Sequence, residues 1–344
     1  MKKFSILIIT ACVLSGTVLF GCGTGGNASS SETPPAEPPA EITMETAPAE
    51  VFTIPDYFPF VADVQYEYSA TWEAADYQVY NAYIRGNAVQ RLVSGPSRDS
   101  VEVLEYKDGA LRMQFGDPYY YFYEDITDAE PNNDRIVLME PLVVGTEWSE
   151  ASGEASRITS LDAPVETPLG SYAALEVTVT PAGGGGTQLF YYAKGIGLVK
   201  FVYHLPEFDV VGTLSAVYPE TGLRRAAEFY WPSSDKDNRS EWRTEIRALV
   251  LRTNGDFAPQ IEEELKDPPE GAASALPDDA RILGIGIDRS TGIAYIEMSI
   301  ATDEIVWQAV ANVVGNFYDA DQVRFVADGQ MITEQVAVER PSYD

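Results

Sequence analysis

The chain has almost none of the residues on which soft-metal and thiol chemistry depend: 344 residues carry two cysteines and one histidine. Zinc needs a cluster of Cys and His ligands, so a zinc site is excluded by residue count. Cys12 lies inside an apolar N-terminal run and Cys22 closes it, which leaves the rest of the chain without a disulfide or a free thiol nucleophile. Catalysis by a Ser-His or Cys-His arrangement would have to run through His204, in Tyr203-His204-Leu205-Pro206. No nucleophile-elbow sequence surrounds a serine, so His204 is expected at a sheet edge or on the surface. Nucleotide signatures are missing as well. Gly183 to Gly186 is followed by a strand pattern without Lys-Ser/Thr, and Gly195-Ile196-Gly197 lacks a third glycine and a βαβ setting; no cofactor is expected. Basic residues are scarce too, 23 against 53 acidic ones, for a formal charge of −30. Phosphate backbones and anionic headgroups repel such a polyanion, which excludes nucleic acid and leaves cations or basic protein surfaces as its electrostatic complements.

What is present begins at the N-terminus. Lys2 and Lys3 precede a run of about 17 mostly apolar residues, Phe4 to Phe20, at the short edge of what spans a bilayer and of the length of a cleaved export signal. The run ends in Leu19-Phe20-Gly21-Cys22, which resembles the bacterial lipobox, with Phe20 bulkier than the small residue usual there. The resemblance implies a signal peptide over residues 1–21, a diacylglycerol on Cys22, and a chain held on the extracytoplasmic face of the cell membrane by its lipid. An uncleaved anchor helix is the alternative. Ile9-Thr10-Ala11-Cys12 is a similar string, but too few apolar residues precede it to make a signal core. Residues 22–52 are rich in Gly, Ser, Pro, Ala and Glu and read as an extended tether.

Residues 53–218 alternate apolar and polar positions between turn residues, as in Val101-Glu102-Val103-Leu104-Glu105-Tyr106, the Lys107-Asp108-Gly109 turn and Leu111-Arg112-Met113-Gln114-Phe115. The pattern predicts an antiparallel, twisted, half-barrel-like sheet, which Tyr119 to Tyr123 continues and Gly183 to Gly186 interrupts as a hairpin loop. Thr167-Pro168-Leu169-Gly170-Ser171-Tyr172 and the stretch Tyr191 to Lys200 resemble a recurrent β-rich domain of bacterial envelope lipoproteins, similar in turn to lipoprotein-carrier half-barrels. That resemblance implies a fold rather than an activity.

Residues 222–335 mix strands with helices and are expected to form a smaller domain of their own. Asp256 is predicted to cap a helix from about Phe257 to Lys266, which Pro268-Pro269-Glu270-Gly271 stops. Ile282 to Ile287 and Ile293 to Met298 flank an Asp288–Gly292 turn, a hairpin signature. Thr302 is predicted to cap a helix in which Ile305, Val306, Ala309, Val310, Val313, Val314 and Phe317 share one face, and Val323-Arg324-Phe325-Val326 reads as a strand. Glu241 to Thr253 has helical spacing at Trp242, Ile246, Leu249 and Val250. Taken with Phe229-Tyr230-Trp231-Pro232, Leu276-Pro277-Asp278-Asp279 and Val323 to Gly329, the order of these elements resembles the GerMN domain of sporulation and spore-germination lipoproteins over roughly Arg224 to Met331. The resemblance implies a small α/β sandwich, a strand rather than a helix over 241–253, and a role in sporulation or germination.

Asp235-Lys236-Asp237-Asn238 with Glu241 gathers hard oxygen ligands without the central glycine or distant glutamate of an EF-hand, so it is expected to be a solvated loop and no metal site is assigned. Tyr119 to Tyr123 and Trp231 could stack on a sugar or peptide but are expected in the core. The reading that results is a non-enzymatic, membrane-anchored protein-interaction module whose partners are envelope proteins with basic surfaces. Two rivals remain: a binder of lipid or cell-wall fragments, marked by a deep apolar cavity in the sheet, and an envelope hydrolase, marked by paired carboxylates in a cleft.

Overall fold

The computed structural model describes residues 52–340 apart from 121, 122, 184, 185, 236, 240, 289, 328, 333 and 334; the signal sequence, Cys22 and the tether lie outside the described residues. After a four-residue helix, α1 (Ile54–Tyr57), come β1 (Gln65–Ala70), β2 (Tyr77–Arg85), β3 (Ala88–Ser94), β4 (Asp99–Lys107), β5 (Ala110–Asp117), β6 (Arg135–Met139), β7 (Glu147–Ser149), β8 (Ala155–Thr167), β9 (Gly170–Thr180), β10 (Gln188–Ala193), β11 (Gly197–His204) and β12 (Asp209–Tyr218). All twelve join one antiparallel sheet in the order β6-β5-β4-β3-β2-β1-β12-β11-β10-β9-β8-β7. The expected half-barrel is therefore corrected to a nearly closed barrel. Its first and last strands, far apart in sequence, pair from Gln65–Tyr218 to Ala70–Gly212, which no local pattern announces. At the remaining seam, side chains stand in for a ladder. Trp148 Nε1–H donates to Ile136 O at 3.1 Å, and Ile136 N–H donates to Glu150 Oε1 at 2.7 Å.

Hairpin turns come where the sequence places them: Asp108 and Gly109 both have positive φ, 53° and 71°, the twist that a two-residue turn between right-twisted strands requires. Inward-facing positions alternate along each strand. Leu104 of β4 and Leu175 of β9, distant in the sheet, share one apolar cluster with Leu111, Leu138 and Ile158, so they meet across the barrel interior. Into that cluster α1 inserts Ile54 and Tyr57, held by the Ile54 N–H on Glu140 Oε1 at 2.9 Å.

The rest of the chain forms β13 (Leu223–Pro232), β14 (Trp242–Leu251), α2 (Ala258–Lys266), β15 (Ile282–Asp288), β16 (Ile293–Met298), α3 (Glu304–Phe317), β17 (Gln322–Ala327) and the two-residue strands β18 (Gln330–Met331) and β19 (Val336–Ala337). β13 and β14 pair only with each other. β15 runs antiparallel and β17 parallel to β16, with α3 as the crossover. The stretch 241–253 thus holds a strand, Trp242–Leu251, rather than a helix, with Leu249 and Leu251 buried and Val250 between them half-buried. Asp303, not Thr302, caps α3: its carboxylate accepts the Val306 N–H at 3.0 Å. Asp256 accepts the Ala258 N–H at the head of α2 at 2.8 Å. Helix α3 touches both β13 and β17 and is buried on more than the expected apolar face, with Asn312 fully buried as well.

Sheets divide near residue 220, yet residues 51–344 form one compact unit. The outer face of β2–β4, through Tyr80, Tyr83, Leu92 and Val103, shares a core with Phe229, Phe257 and Val310. Arg225 donates to Ser94 and Asp99, and Thr253 N–H to Asp63, each at 2.9 Å.

Candidate functional site

The barrel interior is not filled. A cavity of about 250 Å³ lies among Arg91, Glu102, Arg135 and the rings of Tyr77, Tyr192 and Tyr203. On β3, Arg91 sits two residues from Val89 and two from Val93, and strand alternation puts all three on the interior face. Cross-strand register places Glu102 opposite it, but Nη1 and Oε2 are 3.7 Å apart, beyond a hydrogen bond. The Arg91 side chain is 14% exposed, lies over the Phe58 ring at 5.2 Å, and has no hydrogen bond among the described residues. Arg135 uses Nε on Glu154 at 3.3 Å. Burial pushes the hydroxyls of Tyr77, Tyr192 and Tyr203 above the ordinary phenol range, so they stay neutral and able to donate. The wall between them depends on one glycine. Gly212 faces Phe201 across the ladder, and a Cβ there would stand 2.1 Å from the ring.

The residues marked in the sequence are not gathered here. His204 ends β11 on the surface, its Nδ1 2.8 Å from Asp209 Oδ1. In the acidic loop, Asp235 spends its carboxylate on the Asp237 N–H (3.1 Å) and Asn238 Nδ2 (3.0 Å), and no three His, Cys, Asp or Glu side chains gather to hold a metal among the described residues. Tyr121 and Phe122 lie outside the described residues. Tyr119 is exposed beside Arg98, whereas Tyr120 is buried and Tyr123 packs on Phe257, Phe317 and Tyr318. Strand β5 has already ended at Asp117 and Tyr119, Tyr120 and Tyr123 lie outside any strand, so the expected continuation is corrected at these three residues. Trp231 is fully buried, its Nε1–H on Leu265 O at 3.2 Å. Arg91 and Glu102 went unmarked, although a charge between valines on the apolar positions of β3 was a visible signal.

A second feature lies on β14. The amide of Gln260 pairs with both the N–H and C=O of Val250 at 2.8 Å, in place of a neighbouring strand. Ladder alternation then turns the backbone groups of Ala248, Ile246 and Thr244 outward as well, and none has a partner among the described residues. All three are exposed, Ile246 to 74%.

Fold and cavity together define an antiparallel β-barrel continuous with a small mixed α/β sheet. Residues 228–333 match the family described as "Germane: Sporulation and spore germination", and the C-terminal part of the chain is a Germane, or GerMN, domain. Two solved structures are similar to the chain: a candidate lipoprotein from Parabacteroides distasonis (11% identity) and a candidate exported protein with a YmcC-like fold from Bacteroides fragilis (14%). Each match covers 47% of this chain and 98% of the other at a TM-score of 0.29. No curated protein matches the chain. None of the described helices is long and apolar enough to cross a membrane.

Proposed function

We propose that the protein is a lipid-anchored, extracytoplasmic component of sporulation or spore germination that works by binding other proteins rather than by catalysis. The Germane region supports the setting. The observation that carries the interaction reading is the open edge of β14, where Thr244, Ile246 and Ala248 offer main-chain donors and acceptors to an added strand. The chain's charge favours a partner whose added segment is basic. Proline tests this directly, since on an edge strand it removes an outward N–H without touching the inward ladder. Ile246→Pro is expected to keep the wild-type melting temperature and to lose the salt-sensitive partner recovered with wild-type protein from sporulating cells. Retention of that partner would overturn the assignment, and a dimer of the purified protein broken by the same change would give the edge to a second copy. The anchor is tested separately: Cys22→Ser should abolish labelling with palmitate and leave the precursor uncleaved. A second reading, binding of a small ligand no larger than one ring or a short chain, is favoured by the barrel cavity.

A further inference from the structure

We infer that the barrel cavity is a binding site for a small organic monoanion, a single carboxylate on an apolar or aromatic body, which Arg91 holds with help from Tyr77, Tyr192 and Tyr203. The inference rests on the barrel alone and stands or falls independently of the β14 edge.

The first argument is the state of Arg91. A guanidinium removed from water is costly unless its donors are met, and Glu102, at 3.7 Å, offsets charge without accepting a hydrogen bond. Most of the Arg91 side chain is covered, yet it lines the cavity and none of its N–H groups has a hydrogen bond among the described residues. A carboxylate fits that fork with two parallel hydrogen bonds.

The second argument is the balance of donors and charges. Arg91, Arg135 and Glu102 are the charges that line the cavity; Arg135 is taken up by Glu154 at 3.3 Å, so one guanidinium, that of Arg91, is left to meet a ligand. That balance suits a monoanion rather than a phosphate dianion. The hydroxyls of Tyr77, Tyr192 and Tyr203 have no hydrogen bond among the described residues. Burial keeps them protonated, so they add donors, again matched by an acceptor-rich ligand.

The third argument is shape. Apart from Ser156 and Gln188, the remaining wall is aromatic and aliphatic, with Phe58, Phe190 and Phe201 among its rings. A volume of about 250 Å³ equals roughly eight water molecules at ~30 Å³ each. That admits one ring or a short chain and is too small for a diacyl lipid or a peptidoglycan repeat. A cavity carboxylate pair of the kind a glycosidase uses is ruled out by the same lining, which contains only Glu102 as an acid.

The test uses the full-length protein in detergent, with benzoate and phenylacetate as probes, their neutral amides as controls, and inorganic phosphate as a third arm. Calorimetric titration should show saturable binding of the carboxylates, with a matching rise in melting temperature. Benzamide and phenylacetamide should bind at least tenfold more weakly. Arg91→Gln should weaken the carboxylates by roughly ten- to a hundred-fold, the range of a hydrogen bond to a charged group. Glu102→Gln removes the competing negative charge and should tighten binding. Equal affinity for acids and amides, undiminished binding by folded Arg91→Gln protein, or no carboxylate binding at millimolar concentration would overturn the inference. If Arg91→Gln fails to fold, unchanged or weaker binding by Glu102→Gln does so instead. Phosphate binding as tight as the organic acids would refute the requirement for an apolar body.

Discussion

Burial sets the behaviour of this protein's tyrosines one residue at a time. Desolvation pushes Tyr80 and Tyr191 up to about 12, and Tyr68, Tyr77 and Tyr192 higher still. An acid whose folded pKa lies above its unfolded value stabilises the fold while both states are protonated. That contribution is lost once the unfolded chain ionises near pH 10 and the folded one does not. Stability should accordingly be flat from neutral pH to about 9 and then fall by about 1.4 kcal/mol per pH unit for each tyrosine still neutral in the folded state. Denaturant midpoints between pH 7 and 11, read beside phenolate absorbance, would check it. Phenolate appearing ahead of unfolding would show the barrel tyrosines to be solvated.

At the scale of elements, α3 shows how sequence pattern and tertiary context divide the work. Its apolar spacing foretold the helix, and the carboxylate of Asp303 rather than the hydroxyl of Thr302 meets the free N–H of Val306 in its first turn. Why the helix carries Gln308, Asn312 and Asn316 was not legible. Asn312 Oδ1 accepts from the Glu339 N–H at 2.9 Å, and Asn316 Nδ2 donates to Glu339 O at 3.1 Å, so the i, i+4 ladder straps the C-terminal segment along the helix. Gly315 belongs to the same arrangement, because a Cβ there would overlap the Val338 side chain at 2.1 Å. On the opposite side Val310 is fully buried. Val310→Asp should cost several kcal/mol, comparable with the stability of a small domain, and abolish the cooperative melt. A variant melting within a few degrees of wild type would mean that the helix face is wet.

For the molecule as a whole, the joint near residue 220 decides how it unfolds. Tyr123, from the segment after β5, meets Phe257, Phe317 and Tyr318 at ring distances of 5.5, 5.6 and 6.3 Å. Asn254 N–H donates to Ala82 O, and Asn254 Oδ1 accepts the Ile84 N–H, both at 2.8 Å. Residues 52–340 are thus expected to unfold in one transition. A fragment from Gly222 to Asp344 exposes the face that β2–β4 cover, so it should melt well below the intact chain. Equal melting temperatures by calorimetry would show that the shared core contributes nothing to cooperativity.

By itself the sequence determined the turns, the alternating strands, the helix face of α3 and the order of elements from 224 to 331, because each depends on neighbours a few residues apart. It left 241–253 open between helix and strand, since Trp242, Ile246 and Leu249 share a face only at helical spacing; pairing with β13 makes the segment a strand and sends Ile246 and Leu249 to opposite faces. Only the tertiary structure decided that β1 pairs with β12 and turns a half-barrel into a barrel. The same closure brings Arg91 of β3, Arg135 of β6 and Tyr192 of β10 around one cavity. Separation along the chain hides such a site, because no spacing rule connects residues whose only relation is that opposite walls of a closed sheet face each other.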